Sequence, residues 1–240
     1  MHLQRVALRL LKRTPVFGCV ERMHSAWWHY RATRRGTFAQ HGEDLFVLRY
    51  FNGRLGTYID VGANHPFKIS NTYLLYRHGW RGVTMEPIPW LFRKHERLRP
   101  EDIHLNCAAG EAPGKLVFHE MTPSALSTFD ETTADRFVRQ GQATLRCRHD
   151  VTVLRLADVW QEHLGGRSID LLSIDAEGFE LPILRGHDWD RARPKLVICE
   201  LSQPGEDEAS CEIMDFFAAR SYRLIQRLGC NGAFERAPGT

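Results

Sequence analysis

Five short runs in this chain, 58–61, 82–86, 103–106, 169–175 and 196–200, are apolar along both faces, and helical stretches separate them. A strand with one wet face alternates apolar and polar residues, whereas a strand buried on both faces has no reason to. Helices must therefore cover both sides of the sheet that these runs build. That predicts an α/β fold with a mostly parallel sheet.

Within that frame, residues of about 71–78 and 90–98 read as connecting helices, and another helix separates the last two strands. Ahead of the first strand, 43–51 reads as a helix. Glu43 and Asp44 fall in its first turn, where the helix dipole favours acids, and Asn52-Gly53 stops it. The interval 111–153 breaks the rhythm. It holds a hairpin strand at 115–119, a polar loop and a strand-like stretch at 144–153, and reads as an insertion beside the sheet. With no internal repeat or linker, 37–240 reads as one domain behind an extension, 1–36.

Charge separates that extension from the body. Residues 1–36 hold eight Lys/Arg and one acid, while 37–240 hold 24 basic and 28 acidic residues. A net charge of +3 over a mildly acidic body lacks the basic footprint of a nucleic-acid binder. Leu3, Val6, Ala7, Leu10 and Leu11 share one helical face, with Arg5, Arg9 and Lys12 opposite, and Thr14-Pro15 ends the segment. Trp27, Trp28 and Tyr30 follow among further basic residues. Such an arm suits the surface of an anionic membrane; the other reading packs it on the domain. Arg9 and Lys12 interrupt any signal-peptide core, and no run reaches the roughly 18 apolar residues of a membrane span. Six cysteines without a CxxC pair read as reduced thiols. The expected location is the cytoplasm, with peripheral contact at the inner face of the membrane.

In open α/β sheets, ligands bind outside the carboxyl ends of the strands. Here those ends read Asp60-Val61-Gly62-Ala63-Asn64, Glu86-Pro87, Asn106-Cys107-Ala108, Asp175-Ala176-Glu177-Gly178 and Glu200. Core packing gives no reason for a carboxylate or amide at each of them. Gly62 lets a ligand approach the backbone, but Asn64 and His65-Pro66-Phe67 stand where a dinucleotide turn needs glycine and space for a pyrophosphate. A nicotinamide enzyme would also need a Tyr-x-x-x-Lys pair, which the chain lacks. The turn suits a phosphate-free ligand with an amino-acid part, whose ammonium would need an acceptor such as Asp60. S-adenosylmethionine is such a ligand. Glu86, 24 residues after Gly62, stands near the offset of about 20 expected of a ribose-binding acid; otherwise it prepares the following helix start.

Taken together, these blocks resemble the FkbM-type methyltransferase family. The likeness is carried by Gln40-x-Gly42-Glu43-Asp44, the 58–66 turn, Ser70-Asn71-Thr72, Gly79-Trp80-Arg81-Gly82-Val83, Glu86-Pro87 and Asn106-x-Ala108. It continues through 126–130, 170–180 and Leu184-Arg185-Gly186-x-Asp188-Trp189, and so spans about 37–201 in order. The resemblance implies a class I methyltransferase fold, Rossmann-like, with a seven-stranded sheet, using S-adenosylmethionine and typically O-methylating sugars. By position it implies that Asp60, Gly62, Ala63 and Asn64 hold the methionine part, and that Glu86 with Pro87 holds the ribose. Asn106 and Ala108 would lie beside the adenine, Gln40 and Glu43 would close the pocket, and Thr72 belongs to the same cofactor set. Ala39 stands where serine is usual, and His187 departs from the family's commoner residue.

A sugar hydroxyl is a poor nucleophile at neutral pH, so its proton must be taken or weakened. Asp175 or Glu177 would act as base, alone or through His65 or His187. Alternatively, Asp175 and Glu200 would share a Mg²⁺ that lowers the hydroxyl's pKa. A structural reading makes Asp175 and Glu177 caps of the next helix. Acceptor selection is expected from 111–153, with Ser124 and Ser127 as contacts. The resulting expectation is an S-adenosylmethionine-dependent O-methyltransferase acting on a sugar in a glycolipid, polysaccharide or glycosylated natural product. The alternatives are a non-sugar small-molecule acceptor and an inactive methyltransferase-like binding domain.

Overall fold

The computed structural model describes residues 15–201 and 208–237, so the amphipathic segment expected at 3–11 lies outside the described residues. Pro15 opens the first described helix, α1 (Pro15–Arg35), at a position where its missing N–H costs nothing. In chain order there follow α2 (Glu43–Tyr50), β1 (Thr57–Val61), α3 (Tyr73–Arg77), β2 (Arg81–Met85), α4 (Pro89–Leu98) and β3 (Ile103–Leu105). Next come β4 (Ala108–Ala109), β5 (Gly114–Thr122), α5 (Glu131–Arg139), β6 (Thr144–Leu154), α6 (Leu156–Leu164) and β7 (Leu171–Ile174). The chain closes with α7 (Glu180–Arg185), β8 (Leu196–Glu200), α8 (Glu208–Ala218), β9 (Tyr222–Leu228) and β10 (Asn231–Arg236).

A seven-stranded sheet runs in the order β3-β2-β1-β7-β8-β10-β9. Its first five strands pair in parallel, and β10 pairs antiparallel with β8 and β9. All five runs are strands, and helices cover both faces of the central ones; β3, at the edge of the sheet, is exposed to half-buried instead of buried on both faces. On one face Ile59, Val83, Leu172, Ile174 and Val197 pack with Leu156 and Val159 of α6, Leu184 of α7 and Phe217 of α8. On the other, Tyr58, Leu171, Leu196 and Ile198 pack with Val47 of α2, Leu75 of α3 and Trp80. Each such aliphatic side chain fully buried is worth about 1.5–3 kcal/mol, which fixes the register of the central strands. The chain crosses from β3 on one side of β1 to β7 on the other, so a crevice opens beyond the end of β1.

The interval that breaks the rhythm supplies most of a second, three-stranded sheet of order β4-β6-β5, which also takes Ala108–Ala109 from the main chain path. The arm meets the domain through the C-terminal half of α1. Trp28 and Ala32 pack with Phe38, Phe67 and Leu74, and the His29 ring lies against Phe38, Phe67 and Tyr73. Among the described residues, no helix is long and apolar enough to cross a membrane.

Candidate active site

A cleft open to solvent lies over the ends of β1, β2 and β7, lined by both polar and apolar side chains. Its floor is the turn after β1. Gly62 adopts φ 74°, and a Cβ there would stand 1.8 Å from the Asp175 carbonyl oxygen. Only glycine fits, and the two turns are locked together for that reason. Asn64 follows in the left-handed region at φ 46°. Its N–H donates to Glu86 Oε2 at 2.8 Å, its carbonyl accepts from His95 Nε2 at 2.9 Å, and its Oδ1 accepts from Ser124 Oγ at 3.1 Å.

Glu86 lines the same cleft. Its Oε1 accepts from Ile88 N–H at 2.7 Å, so it both prepares the start of α4 and faces the ligand space. A carboxylate offers about four acceptor directions, and two remain. Burial pushes its pKa up to about 8, with Glu120 and Asp60 adding repulsion against the backbone donors.

Asp175 and Glu177 form the opposite wall. With Glu200 they bring carboxylate oxygens within 4.8 Å of one another. All three carboxyls are held above their usual range, by burial first and then by neighbouring carboxylates, Glu180 foremost for Asp175, and Asp175 foremost for Glu177 and Glu200. Neither acid caps α7: the N-cap is Phe179, without a side-chain cap. Glu180 instead gathers the loop, its Oε1 accepting from Ala176 and Gly178 N–H at 2.9 and 3.3 Å. Glu177 itself sits at φ 50°, a strained conformation for a side-chain-bearing residue, and its carbonyl accepts from Thr128 Oγ1 at 3.0 Å.

Of the cofactor set read from sequence, Gln40, Gly62, Asn64, Glu86, Pro87 and Ala108 line the cleft. Glu43, Asp60, Ala63, Thr72 and Asn106 stand behind the residues that line it, and the polar side chains among them bond within the fold. Glu43 accepts from His41 N–H and from Asn231 Nδ2 at 2.8 and 2.7 Å, tying α2 to β10. Thr72 donates to Asp60 and accepts from Arg99. Asn106 Nδ2 donates to the Glu86 and Pro87 carbonyls, and Ala63 is buried in the turn.

The two histidines also bond to backbone groups. His65 Nδ1 accepts from Phe67 and Lys68 N–H, and His187 Nε2 donates to the Ala192 carbonyl at 2.6 Å. Burial lowers their pKa values to about 3 and about 4, and neither lines the cleft. Ser124 and Ser127 do line it, with Ala125 between them.

A family model described as the methyltransferase FkbM domain matches residues 60–224. The chain belongs to the FkbM methyltransferase family. It is an S-adenosylmethionine-dependent methyltransferase with the class I fold. Among solved structures it is similar to a methyltransferase from Geobacter sulfurreducens, at 13% identity and TM-score 0.47, covering 98% of this chain and 96% of that one. It is also similar to a TehB-like SAM-dependent methyltransferase from Corynebacterium glutamicum, at 11% identity and TM-score 0.45, covering 90% and 97%. A third, magnesium protoporphyrin IX methyltransferase from Synechocystis with bound SAM, shows 10% identity and TM-score 0.41, covering 97% and 96%. Comparison with curated proteins gives no match.

The residues of this methyltransferase fit its methyl donor. The backbone is bare at Gly62, Glu86 keeps acceptor directions free, and Ile88, Cys107, Ala108 and Phe118 offer apolar wall. Sequence reasoning named only Ala108 of that wall and missed two supports. Asp44 Oδ2 accepts from Phe38 and Ala39 N–H and so shapes the loop carrying Gln40. Arg99, wholly buried, bonds Asp102, Tyr58 and Thr72 and holds the back of the β1 turn. Asp44 carried a visible signal, an acid at a helix start; a buried arginine beside Pro100 and Glu101 carried none.

Proposed function

We propose that this methyltransferase O-methylates a hydroxyl of a sugar in a glycolipid, polysaccharide or glycosylated natural product. The observation that carries the reading is the placing of Asp175 and Glu177, with raised carboxyl pKa values, in the same cleft as Gly62 and Glu86. When bound, S-adenosylmethionine supplies an electrophilic methyl group on a sulfonium. Glu86 holds the ribose hydroxyls, the Gly62–Asn64 backbone receives the methionine part, and Ala108 lies against the adenine. Asp175 accepts the proton of the acceptor's hydroxyl, with burial and the neighbouring Glu180 keeping its carboxyl near the working pH. Gln40, Asn64 and Ser124 provide the polar rim that a hydroxyl-rich acceptor needs.

The trio of carboxylates also fits a Mg²⁺, since all its ligand atoms are oxygens. Turnover that survives EDTA assigns the base role to Asp175; turnover lost to EDTA and restored by Mg²⁺ assigns the cation. The deciding experiment incubates the protein with the donor and purified glycans, and follows S-adenosylhomocysteine release and sugar methyl ethers by mass spectrometry. Methyl ethers should form, and Asp175→Asn should lower kcat by roughly 10²–10⁴-fold. Transfer only to non-sugar alcohols, or tight donor binding with no transfer, overturns the sugar reading.

We place the reaction in the cytoplasm, at the inner face of the membrane. Supporting this, Met23, Trp27 and Tyr30 recur at i, i+4 and i+7 along α1 and are all exposed. The Arg31 and Arg34 guanidiniums lie over the Trp27 and Tyr30 rings. Aromatics with arginine suit an anionic headgroup layer. Flotation with phosphatidylserine vesicles should fall in Trp27→Ala/Tyr30→Ala; equal flotation removes the arm from the account.

A further inference from the structure

The second sheet holds a cluster that methyl transfer does not use. In the β5–β6 ladder Glu120 pairs with Cys147 and Met121 with Leu145, so Arg146 is an extra, bulged residue. A bulge turns neighbouring side chains toward one face. Arg146 and Cys147 accordingly both reach Glu120, and His149, two residues along β6, joins them. Glu120 is buried, while Cys147 is exposed and His149 part-exposed, so the cluster opens to solvent on one side.

Three ligand-type atoms converge there. Glu120 Oε2 lies 2.7 Å from His149 Nε2 and 3.0 Å from Cys147 Sγ, and the sulfur lies 3.1 Å from Nε2. A carboxylate has no proton, a thiol has one, and Nε2 carries at most one. Two protons cannot bridge three edges, so one pair always meets without a hydrogen bond. A cation among the three resolves that conflict. We propose that Glu120 Oε2, Cys147 Sγ and His149 Nε2 bind one divalent transition-metal ion of the zinc class, with solvent as fourth ligand.

Sulfur and imidazole ligands select a borderline ion over Mg²⁺ or Ca²⁺. Zn–S of about 2.3 Å and Zn–N/O of about 2.0–2.1 Å put tetrahedral ligands roughly 3.3–3.6 Å apart, so the three atoms must part by about half an ångström. The supporting shell is already built. Glu120 Oε1 accepts from Trp90 Nε1 at 2.9 Å and from Arg146, which leaves Oε2 to bind and offsets the ligands' charge. Burial, with Glu120, pushes the Cys147 thiol up to about 11, so coordination releases its proton to solvent. An ion here would join β5 and β6 and, through Trp90, the start of α4 beside the cleft.

The test titrates metal-free, full-length protein with Co²⁺, reading the sulfur-to-cobalt charge-transfer absorption, and then displaces Co²⁺ with Zn²⁺. One equivalent should bind. Cys147→Ser should abolish the absorption, His149→Gln should weaken Zn²⁺ well over tenfold, and Trp90→Phe should weaken it roughly tenfold. Cys211→Ser, at another exposed thiol, should leave it intact. Circular dichroism checks that each variant is folded. A folded wild type without the absorption, or a Cys147→Ser protein that retains it, overturns the proposal. Binding at the oxygen-only trio of Asp175 gives no sulfur band and is thereby told apart.

Discussion

Gly62 and Glu86 set the donor side of the site by different means. Gly62→Ala would force a methyl onto the Asp175 carbonyl while keeping a positive φ. It should destabilise the fold by more than about 1 kcal/mol and abolish donor binding, checked by thermal melts and calorimetry. Glu86→Gln leaves one acceptor oxygen for Asn64 N–H, Ile88 N–H and the ribose. Donor KM should rise about tenfold to a hundredfold with a smaller change in kcat, measured by steady-state kinetics. At this scale the sequence was readable where backbone geometry dictates chemistry: a glycine after a strand and an acid ending the next. It gave no way to place His65 and His187, because an imidazole bonded to backbone groups beside the cleft looks the same in a sequence as one that lines it.

Two-sided burial made β1, β2, β7 and β8 readable, whereas β3 was read from Ile103 and Leu105 at an exposed edge and β10 was missed although Asn231–Phe234 are buried. The parallel strands declared themselves by apolar runs, but β9 and β10 were not foreseen. β9 is mostly half-buried, and a mixed run such as Tyr222–Leu228 carries neither a clear alternation nor a solid apolar block. Helix α4 is pinned at its C-terminal end by Arg99, whose pair with Asp102 is fully buried and whose other bonds reach Tyr58 of β1 and Thr72. Arg99→Met strands Asp102 and loosens α4 from β1 together. It should cost about 3–5 kcal/mol in urea denaturation and weaken donor binding through the Asp60–Thr72 contact.

Over the whole molecule, the acids of the cleft tie stability to pH. Glu86, Asp175, Glu177 and Glu200 are all raised when folded, by burial before anything else. Unfolded, they titrate near pH 4, so the folded protein holds more protons above that point. Their contribution is full below the unfolded pKa and is lost as pH rises through neutrality, to about 8 for Glu86. Without ligand, Tm should therefore fall between roughly pH 6 and about 9; a saturating cationic donor should flatten that slope while raising Tm. A slope of opposite sign in calorimetric scans would refute the assignment.

The second sheet packs on α4 through Phe118, Val151 and Val153 against Ile88 and Leu91, and the loop after β5 touches the donor turn through Ser124 and the Glu177 loop through Thr128. A module that sits beside the main sheet and is joined to it by side chains can change its exposed residues while the strand ends beneath keep theirs. Lineages of this enzyme are thus free to change customers while keeping the same reagent. Exchanging 111–153 between two members, with Phe118 and Ser124 kept, should transplant acceptor preference and leave donor affinity where it was.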